Sequence, residues 1–215
     1  APLAGYSGFQ FAVPFVAVSL QMDKLSAFFV LCLAVVVFCV SLYAMGYTRR
    51  VISQRSNGVY GFLYGLFIIS LLCVLTAENT LFFYIAWEMM SVLSFFMVAW
   101  HADKAENRKA ATTYIIMTHL AAAFLLAAFL MLYQHTGSFS VFAESSDMST
   151  AVKNIVFLFF IVGFGTKAGI LPFHVWLPYA YPAAPGSISA LMSAIMSKTA
   201  VYGLVRFVFF NLKIG

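Results

Sequence analysis

The chain has 215 residues, of which 63% are hydrophobic and only 9% charged. A water-soluble domain of that length cannot hide so much apolar surface, so the composition excludes a soluble globular enzyme and implies an integral membrane protein. The formal net charge of +5 comes from basic residues scattered between apolar runs, not from a cluster, and so gives no nucleic-acid signature.

In chain order, residues 1–24 come first. "FQFAVPFVAVSLQMD" alternates loosely, contains Pro14, and ends in Gln21, Asp23 and Lys24. It is too short for a span and fits a segment or extended hairpin at the outer membrane surface. Residues 25–215 form the transmembrane part. A span needs about 20 mostly apolar residues, and six runs qualify: Leu25–Tyr47, Val59–Ala77, Thr80–Trp100, Ala111–Tyr133, Asn154–Tyr181 and Ser187–Leu212. The runs are continuous, not alternating, so they read as helices and not as barrel strands. The fold expected is an all-α polytopic membrane bundle of about six spans, with one of them, the fifth, discontinuous. Cys32, Cys39 and Cys73 lie inside apolar runs with no CxxC and no nearby ligand set. They read as small buried hydrophobes, and no metal site or cofactor is expected.

Arg49, Arg50 and Arg55 follow the first span, and Lys104, Arg108 and Lys109 follow the third; the alternate loops carry Glu78, then Glu144, Asp147 and Lys153. Positive loops stay in the cytoplasm, which puts the N-terminal segment outside. Arg206 and Lys213 count weakly against that orientation. No cleavable signal peptide is apparent, and the lack of an initiator Met suggests a piece of a longer protein.

Three ionisable residues fall at mid-span: Glu88, Lys167 and Lys198. Lys167 and Lys198 lie about 20 Å and 17 Å along their helices. A charge at that depth costs about 3 kcal/mol or more and is by default functional. Thr80, Tyr84, Glu88 and Ser91 follow helical spacing, as do Ser189, Ser193 and Ser197, with Lys198, Tyr202 and Arg206 in an adjacent stripe. One acid between two bases could pair with either. Burial and pairing move such groups in opposite directions, which suits proton exchange near neutral pH. A static ion pair pinning two helices is the plainer alternative.

"GFGTKAGILPFHVWLP", residues 163–178, surrounds Lys167 with helix breakers. Pro172 removes an N–H and crowds the carbonyl of Ala168, while Gly165 and Gly169 loosen the same turn. Broken helices at membrane depth are tolerated beside protein or water, where transporters use them for ion sites. His174 lies just past the break, and an imidazole carries protons at physiological pH. His119 on the fourth span is a similar candidate. Each is weighed against a packing or spacer role, and Ser193 and Tyr202 join them as candidates for relay or hydration. His101 and His135 lie at loop edges.

"AWEMMS", "GFGTKAGILPFHVWLPYAYPAAPGSISALMS" and "SKTAVYGLVR" resemble the proton-pumping subunits shared by respiratory complex I, multisubunit Na+/H+ antiporters and membrane-bound hydrogenases. "MDKLSAFFV" and "YPAAP" look most like the hydrogenase-4 and formate hydrogenlyase branch. Subunits of this family have fourteen helices in two inverted five-helix repeats, each with a broken helix. The resemblance implies that this chain holds helices three to eight, with residues 59–212 as the first repeat. It implies that Glu88 tunes Lys167, which passes its proton to Lys198 and on toward a second repeat. Ser193 stands where the distal antiporter-like branch of complex I often has histidine, which argues against that branch. The expected partners are other membrane subunits and the lipid bilayer, in the inner (cytoplasmic) membrane. Redox chemistry would belong to those partners. A secondary Na+/H+ antiporter subunit and a scaffold with structural ion pairs are the alternatives.

Overall fold

The computed structural model describes residues 9–13, 16–51, 57–143 and 148–212. Pro14, Arg55, Glu144, Asp147 and Lys213 lie outside the described residues. Two short strands, β1 (Phe9–Val13) and β2 (Val16–Leu20), pair antiparallel with Phe9 opposite Leu20. Helices α1 (Lys24–Val51), α2 (Asn57–Thr76), α3 (Thr80–Val98) and α4 (Ala105–Thr136) follow. Next come α5 (Thr150–Ala168), a 3₁₀ turn (Phe173–Trp176) and α6 (Leu177–Ala183). The last span is built of α7 (Gly186–Leu191), a π turn (Met192–Met196), α8 (Ser197–Leu204) and a second π turn (Val205–Asn211).

Among the described residues, six helices are long and apolar enough to cross a membrane: Lys24–Tyr47, Gly58–Thr76, Thr80–His101, Ala105–Thr136, Thr150–Ala183 and Gly186–Asn211. The chain is therefore a polytopic membrane helix bundle, with boundaries within a few residues of those read from sequence except at the ends of the fourth span. That span is longer because polar residues 105–110 continue its helix, which hydropathy does not register.

Local chemistry explains the helix ends. The Asn79 side chain accepts from the N–H groups of Leu81 and Phe82 at 2.9 and 3.2 Å, capping α3. Helix α4 ends on Gly137, with φ +66°. Helix α3 packs between α2 and α4, α4 lies along α5, and α5 rests on α8. An aromatic cluster of Phe83, Trp87, Phe129, Phe160, Phe164 and Phe207 fills the middle of this packing. In lipid no hydrophobic force draws helices together, so van der Waals packing and inter-helix hydrogen bonds hold the bundle.

Helix α1 is peripheral, and Phe28, Leu31, Val35, Phe38, Leu42 and Met45 all point outward from it. Cys39 is exposed on α1 as well, while Cys32 and Cys73 are half-buried. The expectation of three buried thiols therefore fails at Cys39, because a helix that is apolar all round does not reveal which side faces its neighbours. The hairpin docks on the α2–α3 turn: Gln21 donates to Thr76 O at 2.8 Å and Glu78 to Ser19 O at 3.0 Å. Val141 in the α4–α5 loop donates to Glu78 O at 2.6 Å. These bonds stitch one end of the bundle into a single cap.

Candidate functional site

Lys167 lies in the last turn of α5 and is 1% exposed. Its ammonium donates to Ser91 Oγ at 2.8 Å and to Tyr114 OH at 2.9 Å. It also sits over the Trp87 ring, 5.9 Å from the centroid. Among the described residues no carboxylate forms an ion pair with it. A buried ammonium needs its donors satisfied, and here neutral hydroxyls and an aromatic face do this. The hydroxyls continue outward: Ser91 Oγ donates to Trp87 O at 3.0 Å, Tyr114 meets Ser94 Oγ at 2.6 Å, and Ser94 donates to Met90 O at 2.7 Å.

The end of α5 sets the position of this lysine. Gly169 adopts φ +82°. Ile170 N–H donates to Gly165 O at 2.8 Å, and Gly169 N–H to Thr166 O at 3.3 Å. That pair of bonds is a Schellman cap, which favours glycine because a left-handed residue carries a Cβ penalty. The helix thus stops on Gly169, three residues before Pro172, and the proline prevents resumption instead of causing the stop. Trp176 Nε1 donates to Thr166 O at 2.8 Å, so the indole satisfies a carbonyl at the end of α5. His174 is half-buried in the 3₁₀ turn, and its Nδ1 is buried with no hydrogen-bond partner among the described residues.

Glu88 pairs with His119 rather than with either lysine: Oε2 lies 3.4 Å from Nε2. The two side chains are 23% and 48% exposed, and Glu88 Oε1 is buried with no hydrogen-bond partner among the described residues. Glu88 and Ser91 are one turn apart on α3, so the carboxylate lies beside the hydroxyl that holds Lys167. Lys198 is exposed on the last span. Its ammonium folds back on Ser193 O at 2.7 Å, a carbonyl within the first π turn that also accepts from Ser197 Oγ at 2.9 Å. Ser193 Oγ donates to Ala190 O at 3.2 Å.

Tyr202 belongs to a different group. Its hydroxyl donates to Leu75 O at 3.1 Å, lies 3.0 Å from Ser26 Oγ, and accepts from Arg206 at 3.2 Å. Arg206 in turn binds Asp23. The sequence stripe of Lys198, Tyr202 and Arg206 therefore divides into one exposed residue and two buried ones: Lys198 and Tyr202 share α8, yet the lysine stays exposed with its ammonium on Ser193 O while Tyr202 is buried against Leu75 and Ser26. Asp23 lies just before α1. Burial would raise its carboxyl, but the Arg206 bond and charge and the Ser26 N–H offset this and hold it below the ordinary carboxylate range.

Sequence reasoning missed Tyr114, Ser94 and the Asp23–Arg206 pair. Ser94 is one turn beyond Ser91 and was legible as an extension of that stripe. Tyr114 gave no signal, since an aromatic in an apolar span normally reads as packing or an interfacial anchor.

A bundle of membrane-crossing helices with a buried lysine at the end of α5 is the arrangement of an integral membrane protein that keeps a charge inside its packing. Residues 77–214 match the family described as NADH:quinone oxidoreductase/Mrp antiporter, TM, and the chain belongs to that family of antiporter-like membrane subunits. It is similar to hydrogenase-4 component B of Escherichia coli (strain K12), 37% identical over 201 residues, which is 92% of this chain and 30% of that protein. The structure of the Mrp complex from Dietzia sp. DQ12-45-1b superposes with a TM-score of 0.80 at 23% identity, over 95% of this chain and 23% of the other, a likeness of fold. The membrane-bound sulfane sulfur reductase, an archaeal respiratory membrane complex, gives 0.76 at 26% identity, over 95% of this chain and 33% of the other. The chain thus spans about a third or less of the length of the proteins it matches.

Proposed function

We propose that this chain is part of a proton-translocating antiporter-like subunit in a redox-driven membrane complex of the hydrogenase-4/formate hydrogenlyase or NADH:quinone oxidoreductase type. Glu88, Lys167 and Lys198 form the relay at mid-membrane. One observation carries the reading: Lys167 is an ammonium at bilayer depth held by hydroxyls with no ion-paired carboxylate among the described residues. A static structural lysine is normally neutralised by a paired acid. Hydroxyls serve either protonation state, donating to an amine or accepting from an ammonium. Gly165, Gly169 and Pro172 supply the interruption that places the lysine, and His174 supplies a buried ring nitrogen with bonding capacity to spare.

The half-exposed Glu88–His119 pair supports the partner assignment. A carboxylate and imidazole at that depth are costly against lipid, so other membrane subunits are expected to cover them. Lys198, exposed on the last span, suits the onward direction toward a second repeat. The likeness to hydrogenase-4 component B supports the inner (cytoplasmic) membrane, and the basic loops put the hairpin outside. The family's Mrp antiporter branch favours a second reading, a subunit of a Na+/H+ antiporter with no redox partner.

Purification of the full-length subunit with its native partners tests this reading. Copurifying iron centres, together with reductant-driven proton movement in liposomes, are expected. Sodium-for-proton exchange by a metal-free complex would establish the second reading instead. Absence of any ion movement would leave a scaffold.

A further inference from the structure

Lys167 and Lys198 do not touch, yet a single side chain reaches from one lysine to the turn that holds the other. Tyr114 on α4 is fully buried. Its oxygen accepts from Lys167 Nζ at 2.9 Å, and its one proton has two acceptors, Ser94 Oγ at 2.6 Å and Met196 Sδ at 3.6 Å. Met196 is the last residue of the π turn Met192–Met196. Ser193 O in that same turn binds the Lys198 ammonium. π turns inside a helix are local irregularities, frequent at functional sites, and this one lies against the Tyr114 hydroxyl.

We infer that Tyr114 is a positioning residue that couples the state of Lys167 to the seat of Lys198 through the Met196 π turn. The chemistry is that of a phenol, which both donates and accepts. While Lys167 is an ammonium, all its hydrogens are donors. The Tyr114 oxygen must then accept, and the phenolic proton is directed away, toward Ser94 and Met196. When Lys167 is a neutral amine, its nitrogen offers a lone pair, and the phenolic proton turns to it. The sulfur of Met196 then loses its donor. The π turn relaxes, and the carbonyl of Ser193 shifts under Lys198.

Of the titratable groups near this pair, Glu88 lies one turn from Ser91 on α3, and Tyr181 on α6 lies behind Trp176, whose ring packs on Tyr114. Among the described residues, Tyr114 touches both Lys167 and the last span through hydrogen bonds. Thr199 donates to Met196 O at 2.6 Å and to Met90 Sδ at 3.7 Å, so the turn is tied to α3 as well and moves against a fixed reference.

This coupling rests on the relay reading for its purpose, but its test reads titration and not transport. The full-length protein is labelled with ¹⁵N-lysine and studied in lipid bilayers by solid-state NMR. The two Nζ signals are assigned by their loss in Lys167→Met and Lys198→Met. In the native protein the Lys198 signal should shift over the pH interval in which Lys167 titrates. In Tyr114→Phe, Lys167 should still titrate, while the accompanying Lys198 shift shrinks by more than half. Met196→Leu, which keeps the volume and removes the sulfur acceptor, should give the same loss and covers a folding failure of the phenylalanine variant. A Lys198 signal that ignores Lys167 in the native protein would overturn the inference. So would a shift that keeps more than half its native size in both variants. Loss of proton transport in other variants, or its absence altogether, would bear on the proposed function and leave this result unchanged.

Discussion

Arg206 grips Asp23 with two bonds of 2.6 Å each, and both side chains are 1% exposed. Asp23 also accepts from Ser26 N–H at 2.8 Å, and Arg206 stacks over Phe142, 5.1 Å from its centroid. The last span, the start of α1 and the α4–α5 loop are thereby joined at one point. Removing one partner leaves an uncompensated buried charge, which typically costs 3–5 kcal/mol. Arg206→Ala should therefore lower the thermal unfolding midpoint of the protein in detergent sharply. An unchanged midpoint would show that the pair is not structural.

The same pair has a signed pH dependence. The Asp23 carboxyl is held below its ordinary value of 3.8, so the folded state binds its proton more weakly than the unfolded state. Its contribution is full above the ordinary value and is lost as pH falls through the lower, folded one. Unfolding midpoints measured at successive pH values should fall for the native protein below about pH 4. Asp23→Asn should start lower at neutral pH and lack that part of the fall. Parallel curves would contradict the assignment.

Two glycines predict opposite outcomes for the same change. A Cβ on Gly203 would collide with the Phe164 ring. That ring is stacked on Phe160 and Phe207, with centroids 5.6 and 5.8 Å away, so it has little room to yield. Gly203→Ala should cost about 1–3 kcal/mol. Nothing lies within 4 Å of a Cβ on Gly61, so Gly61→Ala should be neutral or stabilising by up to about 1 kcal/mol. Unfolding in mixed micelles compares the two, and equal effects would refute the packing described.

Glu88→Gln removes the carboxylate beside Ser91 while keeping its shape. In the full-length protein, proton flux should fall roughly 10²-fold, as for loss of a positioned proton-transfer group. His119→Ala should have a smaller effect, because His119 is the more exposed of the pair. Flux measured with a pH-sensitive dye inside liposomes separates the two. A larger effect at His119 would reverse their roles.

The spans were legible because twenty-residue apolar runs carry a strong signal, and Glu88, Lys167 and Lys198 were legible because charge is expensive there. The partners of those charges were not. Glu88 chose His119 over the lysines because side-chain pairing depends on helix rotation, which an all-apolar background does not encode. Lys198 and Arg206 look equivalent in an apolar span, and only the packing of α1 and the α4–α5 loop around Arg206 tells them apart. Gly169, not Pro172, ends α5, since a glycine's left-handed conformation is a property of the fold that composition only permits.

Replacement of Lys167 by alanine in the full-length protein, reconstituted with its partners, is the most direct measurement. The relay predicts that proton movement across the bilayer stops while the complex still assembles and any redox partner still turns over. Proton flux equal to that of the native complex would mean that the buried ammonium between Ser91 and Tyr114 conducts nothing.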